Sequence, residues 1–221
     1  MKYLTNADAF AGLIRQLWTG LGVTLPLFFY TLLLSLPLGV LVALMRMSRV
    51  RPVAFATRLY ILILRGTPLI LQIFAIYFIL PKIFGHAMDR MLSAVIAFVL
   101  NYAAYFAEIF RGGLQSLPRG QREAGKMLGM NKAQIFLRIL LPQTVKRCLL
   151  PVSNEVVTLV KDTALVTAIA LCDMYYYAKK ATAASGSLLP LFIAGLFYLL
   201  MNTVVEVFFS RMNRRLDYYR G

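Results

Sequence analysis

The amino-acid sequence predicts an all-α integral membrane protein of about five transmembrane helices, and three observations carry that expectation. Of its 221 residues 60% are hydrophobic and only 15% are charged, with a mean hydropathy of +0.70. A soluble domain of this length lacks the interior to hide that much apolar surface. The apolar residues also gather in runs long enough to cross a hydrocarbon core of about 30 Å, which takes about 20 helical residues. Finally, the runs are too long and continuous for barrel strands, and a lipid-exposed backbone must satisfy its own hydrogen bonds.

The expected spans are roughly 19–45, 58–80, 91–110, 149–172 and 188–210. The first contains Pro26 and Pro37, where bends are expected because each proline frees a carbonyl. The second is interrupted by Arg65-Gly66-Thr67-Pro68, the fourth by Glu155, Lys161 and Asp162. Residues 1–18 then form an external segment, 19–215 a membrane domain with a long connection at 111–148, and 216–221 a tail. Residues 1–17 mix Lys2, Asp8 and Arg15 and show no cleavable signal.

Charge orients the bundle. A net charge of +15 could suggest nucleic acid, but the basic residues lie between apolar runs, which excludes that class in favour of a membrane surface. The connections around 45–58 and 111–148 and the tail after 210 hold sixteen Lys and Arg, against six on the other side. The positive-inside rule puts the amino terminus outside and the carboxyl terminus in the cytoplasm, as an odd number of spans requires. Cys148 and Cys172 sit near opposite ends of one span, about 36 Å apart along a helix, and cannot bridge.

The connection 111–148 reads as a structured elbow. Ser116-Leu117-Pro118 opens a short helix that runs to about Leu128 and stops at Gly129. Asn131 can cap the next helix, with Gln134 at capping-box spacing, and Pro142 marks a bend or stop before the fourth span. Such an elbow suits either an anionic lipid surface or a docking partner.

Intramembrane ionisable groups are costly and mark candidate sites. Glu155, Thr158 and Asp162 share one helical face at i, i+3 and i+7, and two carboxylates with a hydroxyl suit an ammonium group. The alternative is that Lys161 and Asp162 pair with neighbouring helices and only hold the bundle together. Asn101, Tyr105 and Glu108 share a face of the third span; Asn101 joins the binding candidates, and Glu108 is expected to meet a loop arginine. Arg65 can snorkel or pair, and Gly66, Thr67 and Pro68 form a kink for packing or gating. His86 has no metal-ligand company, and no metal site or catalytic residue is expected.

Glu123-Ala124-Gly125, then Gly129, then Ile139, Leu141 and Pro142 resemble the signature loop of bacterial ABC importer permeases, with Gly125 replacing the second alanine. Arg65-Gly66-Thr67-Pro68-Leu69, Asn154-Glu155 and Lys161-Asp162-Thr163 are similar to the span motifs of the polar amino acid subfamily, so the likeness covers roughly residues 19–215. The resemblance implies a type I ABC importer permease fold in a bacterial cytoplasmic membrane and an alternating-access pathway for a polar amino acid. It also implies an elbow docked on a cytoplasmic ATPase dimer, a second permease subunit (identical or homologous) and an external solute-binding protein. No Gly-x-x-x-x-Gly-Lys-Ser/Thr loop is present, so this chain binds no cofactor itself, and ATP and Mg²⁺ belong to the partner. A channel or secondary transporter using Glu155 and Asp162 is the competing reading, and an inactive membrane scaffold a third.

Overall fold

The computed structural model describes residues 7–216; Lys2, Arg220 and residues 217–221 of the expected tail lie outside the described residues. The described chain is helical, in the order α1 (Ala7–Arg46), α2 (Arg51–Gly66), α3 (Leu69–Phe74), α4 (Leu80–Phe84), α5 (Arg90–Gln115), α6 (Arg119–Met127), α7 (Lys132–Ile135), α8 (Leu141–Asp162), α9 (Met174–Ser185) and α10 (Leu189–Arg215). Helices α1, α5 and α10 are each long and apolar enough to cross a membrane; α2 and residues 69–83 are so only together, bent by 110° between them as in a broken span or a re-entrant loop. Helix α8 occupies the place of the remaining expected span.

The spans differ from expectation where apolar run length understates the helix. Helix α1 begins at Ala7, so residues 7–18 are helical; Leu13 and Leu17 are buried against Met174, Ala178 and Ala194. It is assigned as one 40-residue helix through both Pro26 and Pro37. Helix α8 likewise begins at Leu141 rather than near 149, and its apolar partners extend through Thr144 and Cys148. Past Asp162 the chain tightens into a 3₁₀ turn, Thr163–Ile169, and reverses at Ala170, which has φ 55°. The connection that follows then folds into α9. Asp173, fully buried, caps it by accepting from the backbone N–H groups of Tyr175 (3.2 Å) and Tyr176 (3.0 Å) and from the Thr167 hydroxyl (2.5 Å).

Two π-helical turns, Ala75–Ile79 and Phe136–Leu140, each stand directly before a Leu-Pro pair, Leu80-Pro81 and Leu141-Pro142. A proline inside a helix removes an N–H and crowds the carbonyl four residues back, and a widened turn absorbs both. Pro142 therefore does not stop the helix: the elbow helix runs on through the π turn into α8.

Small residues set the packing. Helix α1 buries Gly20, Thr24, Thr31, Ser35, Gly39 and Ala43 along one stripe, and α5 buries Ala94, Ala97, Ala103, Ala104 and Ala107. Lipid tails are as apolar as any side chain, so close backbone approach and dispersion replace the hydrophobic drive between spans. A Cβ on Gly39 would lie 2.8 Å from the Phe106 Cβ. By contrast α10 leaves Phe192, Leu196, Leu199, Leu200 and Val204 exposed, the surface of a lipid-facing helix.

Candidate functional site: a broken helix and an acidic cavity

The site begins with Pro68. Without an N–H it cannot bond the Leu64 carbonyl, and the chain turns there between α2 and α3 with Thr67 and Pro68 extended. Two side-chain amides cover the freed carbonyl: Gln72 Nε2 and Asn101 Nδ2 each donate to Leu64 O at 2.9 Å. Gln72 Nε2 also donates to Thr67 O (3.1 Å) and Thr67 Oγ1 (2.9 Å), while its Oε1 accepts from Asn101 at 2.9 Å. The Thr67 hydroxyl donates to Ile63 O at 2.8 Å. The break is thus held open as a defined shape by hydrogen bonds that a helix interior would not need.

Beside the break lies a cavity of about 420 Å³, bounded by Thr67 and Pro68, by Asn101, Tyr102 and Tyr105 of α5, and by Glu155, Thr158 and Asp162 of α8. The structure therefore brings together all four expected binding residues, Glu155, Thr158, Asp162 and Asn101. Their availability differs. Asn101 is buried, and its amide N–H groups are spent on Leu64 and Gln72. Thr158 donates to Asn154 O at 3.0 Å, which leaves its hydroxyl oxygen free to accept. Asp162 accepts from the Tyr102 hydroxyl at 2.7 Å. Glu155 is half-buried with no hydrogen bond recorded, the least engaged carboxylate on the cavity.

Two participants escape a reading of the sequence. Tyr102 sits one position past the Asn101–Tyr105 stripe, yet its hydroxyl reaches across to α8. Gln72 was detectable as a lone amide one turn beyond Pro68. Glu108 falls outside this cavity: Arg111 grips it with Nε at 3.0 Å and Nη2 at 2.5 Å, the arginine partner its position implied. The Arg65 guanidinium lies over the Tyr105 ring, 5.0 Å from its centre, and Gly66 lines the neighbouring cavity with it. Lys161 is exposed and points away from the cavity.

At the far end of the bundle the elbow has the expected local chemistry. Pro118 precedes α6 rather than opening it, and Gly129 adopts φ 73°, ending it. Asn131 and Gln134 form the reciprocal capping box, both bonds at 2.9 Å. Gly125 is buried against Ile135 and Ile139; a Cβ there would approach Ile135 Cγ1 to 2.9 Å. Glycine in place of alanine lets α6 seat closer on the following helix. Leu141 and Pro142 open α8. Glu123 and Ala124 remain exposed, beside Arg119, Arg122 and Lys126, and so do Met127 (89%) and Leu128 (79%), so the uncovered face of α6 is charged with an apolar tip.

A multi-span helical bundle with a polar cavity at a broken span and an uncovered elbow at one end defines a membrane transport subunit. Residues 35–218 match the family model of the binding-protein-dependent transport system inner membrane component, and the chain belongs to that family. It is 37% identical over 198 residues to the arginine transport system permease protein ArtQ of Bacillus subtilis, covering 89% of this chain and 90% of that one. It is 35% identical to the L-cystine permease TcyB of the same organism (90% and 86% covered) and 37% to the octopine permease OccM of Rhizobium radiobacter (88% and 83%). Among solved structures, an amino acid ABC transporter with histidines superposes with a TM-score of 0.86 at 30% identity, covering 96% of this chain and 99% of that chain. An inward-facing methionine ABC transporter shares the fold, with a TM-score of 0.68 at 19% identity. The chain is accordingly a multi-pass inner-membrane permease subunit and not an enzyme; its family works with a separate ATPase and a solute-binding protein.

Proposed function

We propose that this chain is one half of an ATP-driven importer for a polar amino acid, with the substrate held at Glu155, Thr158 and Asp162. One observation carries the reading: two carboxylates from α8 converge on a polar cavity whose remaining wall is a helix break. A carboxylate in a low-dielectric span strongly favours an ammonium partner over none. The relatives named for arginine, cystine and octopine transport support an amino acid. Thr67 and Pro68 belong to this wall and act as its hinge, with Gly66 beside them. The amino terminus faces outward and the elbow lies in the cytoplasm, where Glu123, Ala124, Gly125 and Gly129 shape α6 to dock on an ATPase dimer. Ile139, Leu141 and Pro142 carry that movement into α8 and the cavity. A second permease subunit, identical or homologous, completes the path.

The test is uptake and ATPase stimulation by the reconstituted complex across a panel of amino acids. Glu155→Gln with Asp162→Asn is expected to lower apparent substrate affinity by about tenfold or more, as loss of a buried charge pair would. Unchanged affinity in both single variants removes these residues from the site. Glu123→Arg is expected to uncouple ATPase association from transport; intact coupling overturns the elbow's role.

A further inference from the structure

On the other side of Gly66 from the acidic cavity lies a second one, about 320 Å³, bounded by Arg46, Arg58, Ile61, Leu62, Arg65, Gly66 and Glu108. Its charge does not balance. Glu108 is its only acidic wall residue, and both carboxylate oxygens are taken by Arg111. Among the described residues Arg46 and Arg58 make no hydrogen bond or ion pair; Arg65 lies over the Tyr105 ring, and its charge, like that of Arg46, reaches Glu108 only at longer range, with Glu155 also within the reach of Arg65. Arg58 and Arg65 are two helical turns apart on α2, about 10 Å along the axis, and recur on one stripe with Arg51. Arg65 stands at the break itself, two turns beyond Arg58 and next to the wall of the acidic cavity. Three guanidiniums converging within a membrane domain need water and a counter-anion, and planar guanidinium groups match carboxylate oxygens in bidentate geometry.

We propose that this cavity is a release vestibule, in which Arg46, Arg58 and Arg65 bind the carboxylate of the amino acid leaving the acidic cavity. The Arg65–Tyr105 pair forms the partition, since the ring walls the first cavity and the guanidinium walls the second. The zwitterion would pass from a site that holds its ammonium group to one that holds its carboxylate. The inference rests on the importer reading above.

The test uses proteoliposomes of the permease with its ATPase, ATP inside and the solute-binding protein outside. The lumen also holds either an amino acid that the wild type carries or the amine that remains when its carboxyl group is removed. Uptake with an otherwise empty lumen reads the importer assignment by itself, and failure there takes the proposal with it. Luminal amino acid is expected to slow wild-type uptake, and the amine is not. Arg58→Gln is expected to raise the half-inhibiting luminal concentration about tenfold, the loss of one charge-assisted contact, with Arg58→Lys partly restoring it. Equal inhibition by acid and amine, or no shift in Arg58→Gln, overturns the proposal. Two further outcomes also overturn it: an Arg58→Gln defect confined to vesicles containing phosphatidylglycerol, which assigns the arginines to a lipid headgroup, and dissociation of the permease pair, which assigns them to a subunit contact.

Discussion

Asn101 shows how a residue at the right place acquires a different task from the one its type suggests. Its position on the cavity face was legible from its spacing with Tyr105, but its amide is committed to closing the break, donating to Leu64 O and Gln72 Oε1. Nothing local in the sequence joins residues 37 and 29 positions apart, so the commitment appears only once α2, α3 and α5 are packed. Asn101→Asp keeps size and places two acceptors against an acceptor. It is expected to lower the thermal midpoint of the detergent-solubilised complex more than Asn101→Ala, whose cost of one unpaired buried acceptor is about 1–3 kcal/mol. The reverse order would show that the amide does not hold the break. Glu155 and Asp162 were legible as a pair because an i, i+7 spacing fixes a shared face whatever the helix packs against. Tyr102 was not, because aromatic residues in an apolar span look alike until one hydroxyl meets a carboxylate.

At the scale of elements, proline chemistry explains most of the differences from a straight-span reading. Pro81 and Pro142 are absorbed by π turns, and Pro26, Pro37 and Pro151 stay within continuous helices. At Pro68 the chain breaks by 110°. The distinction lies in the flanks: Gly66 lowers the cost of leaving the helix, and Gln72 and Asn101 supply donors for the carbonyl that is left behind. Restoring the N–H with Pro68→Ala offers Leu64 O its ordinary helical partner. That variant is expected to assemble with its ATPase yet lose about tenfold or more in uptake, since a helix bond competes with the amides that shape the cavity. Wild-type uptake in Pro68→Ala would show that the break is set by the surroundings alone. The elbow's glycine stop and capping box were readable at this scale, because they are local rules, but its passage through Pro142 by a π turn was not; α9 was missed because a short helix in a polar connection has no long apolar run.

For the whole molecule, the decisive contacts are between segments distant in sequence. Helix α9 seats on the amino-terminal half of α1 at Gly20, where a Cβ would come within 2.6 Å of the Met174 backbone, and the Met174 N–H donates to the Thr24 hydroxyl at 3.3 Å. Backbone cannot move aside as a flexible side chain can. Gly20→Leu is therefore expected to lower both folded yield and thermal midpoint, with Gly22→Leu, which meets nothing within 4 Å, as the silent control; equal behaviour of the two would show that α9 is not anchored there. By itself the sequence determined a helical membrane protein, the shared face of its intramembrane carboxylates, the elbow and the family resemblance, because apolar run length, helical periodicity and capping act within a few residues. Only the tertiary structure decided that the kink at Gly66–Pro68 opens to 110°, that the carboxylates face Asn101 and Tyr105 across one cavity, and that three arginines share a cavity with Gly66. Those features depend on where carbonyls freed in one helix find donors in another, and on how closely small-residue stripes let backbones approach.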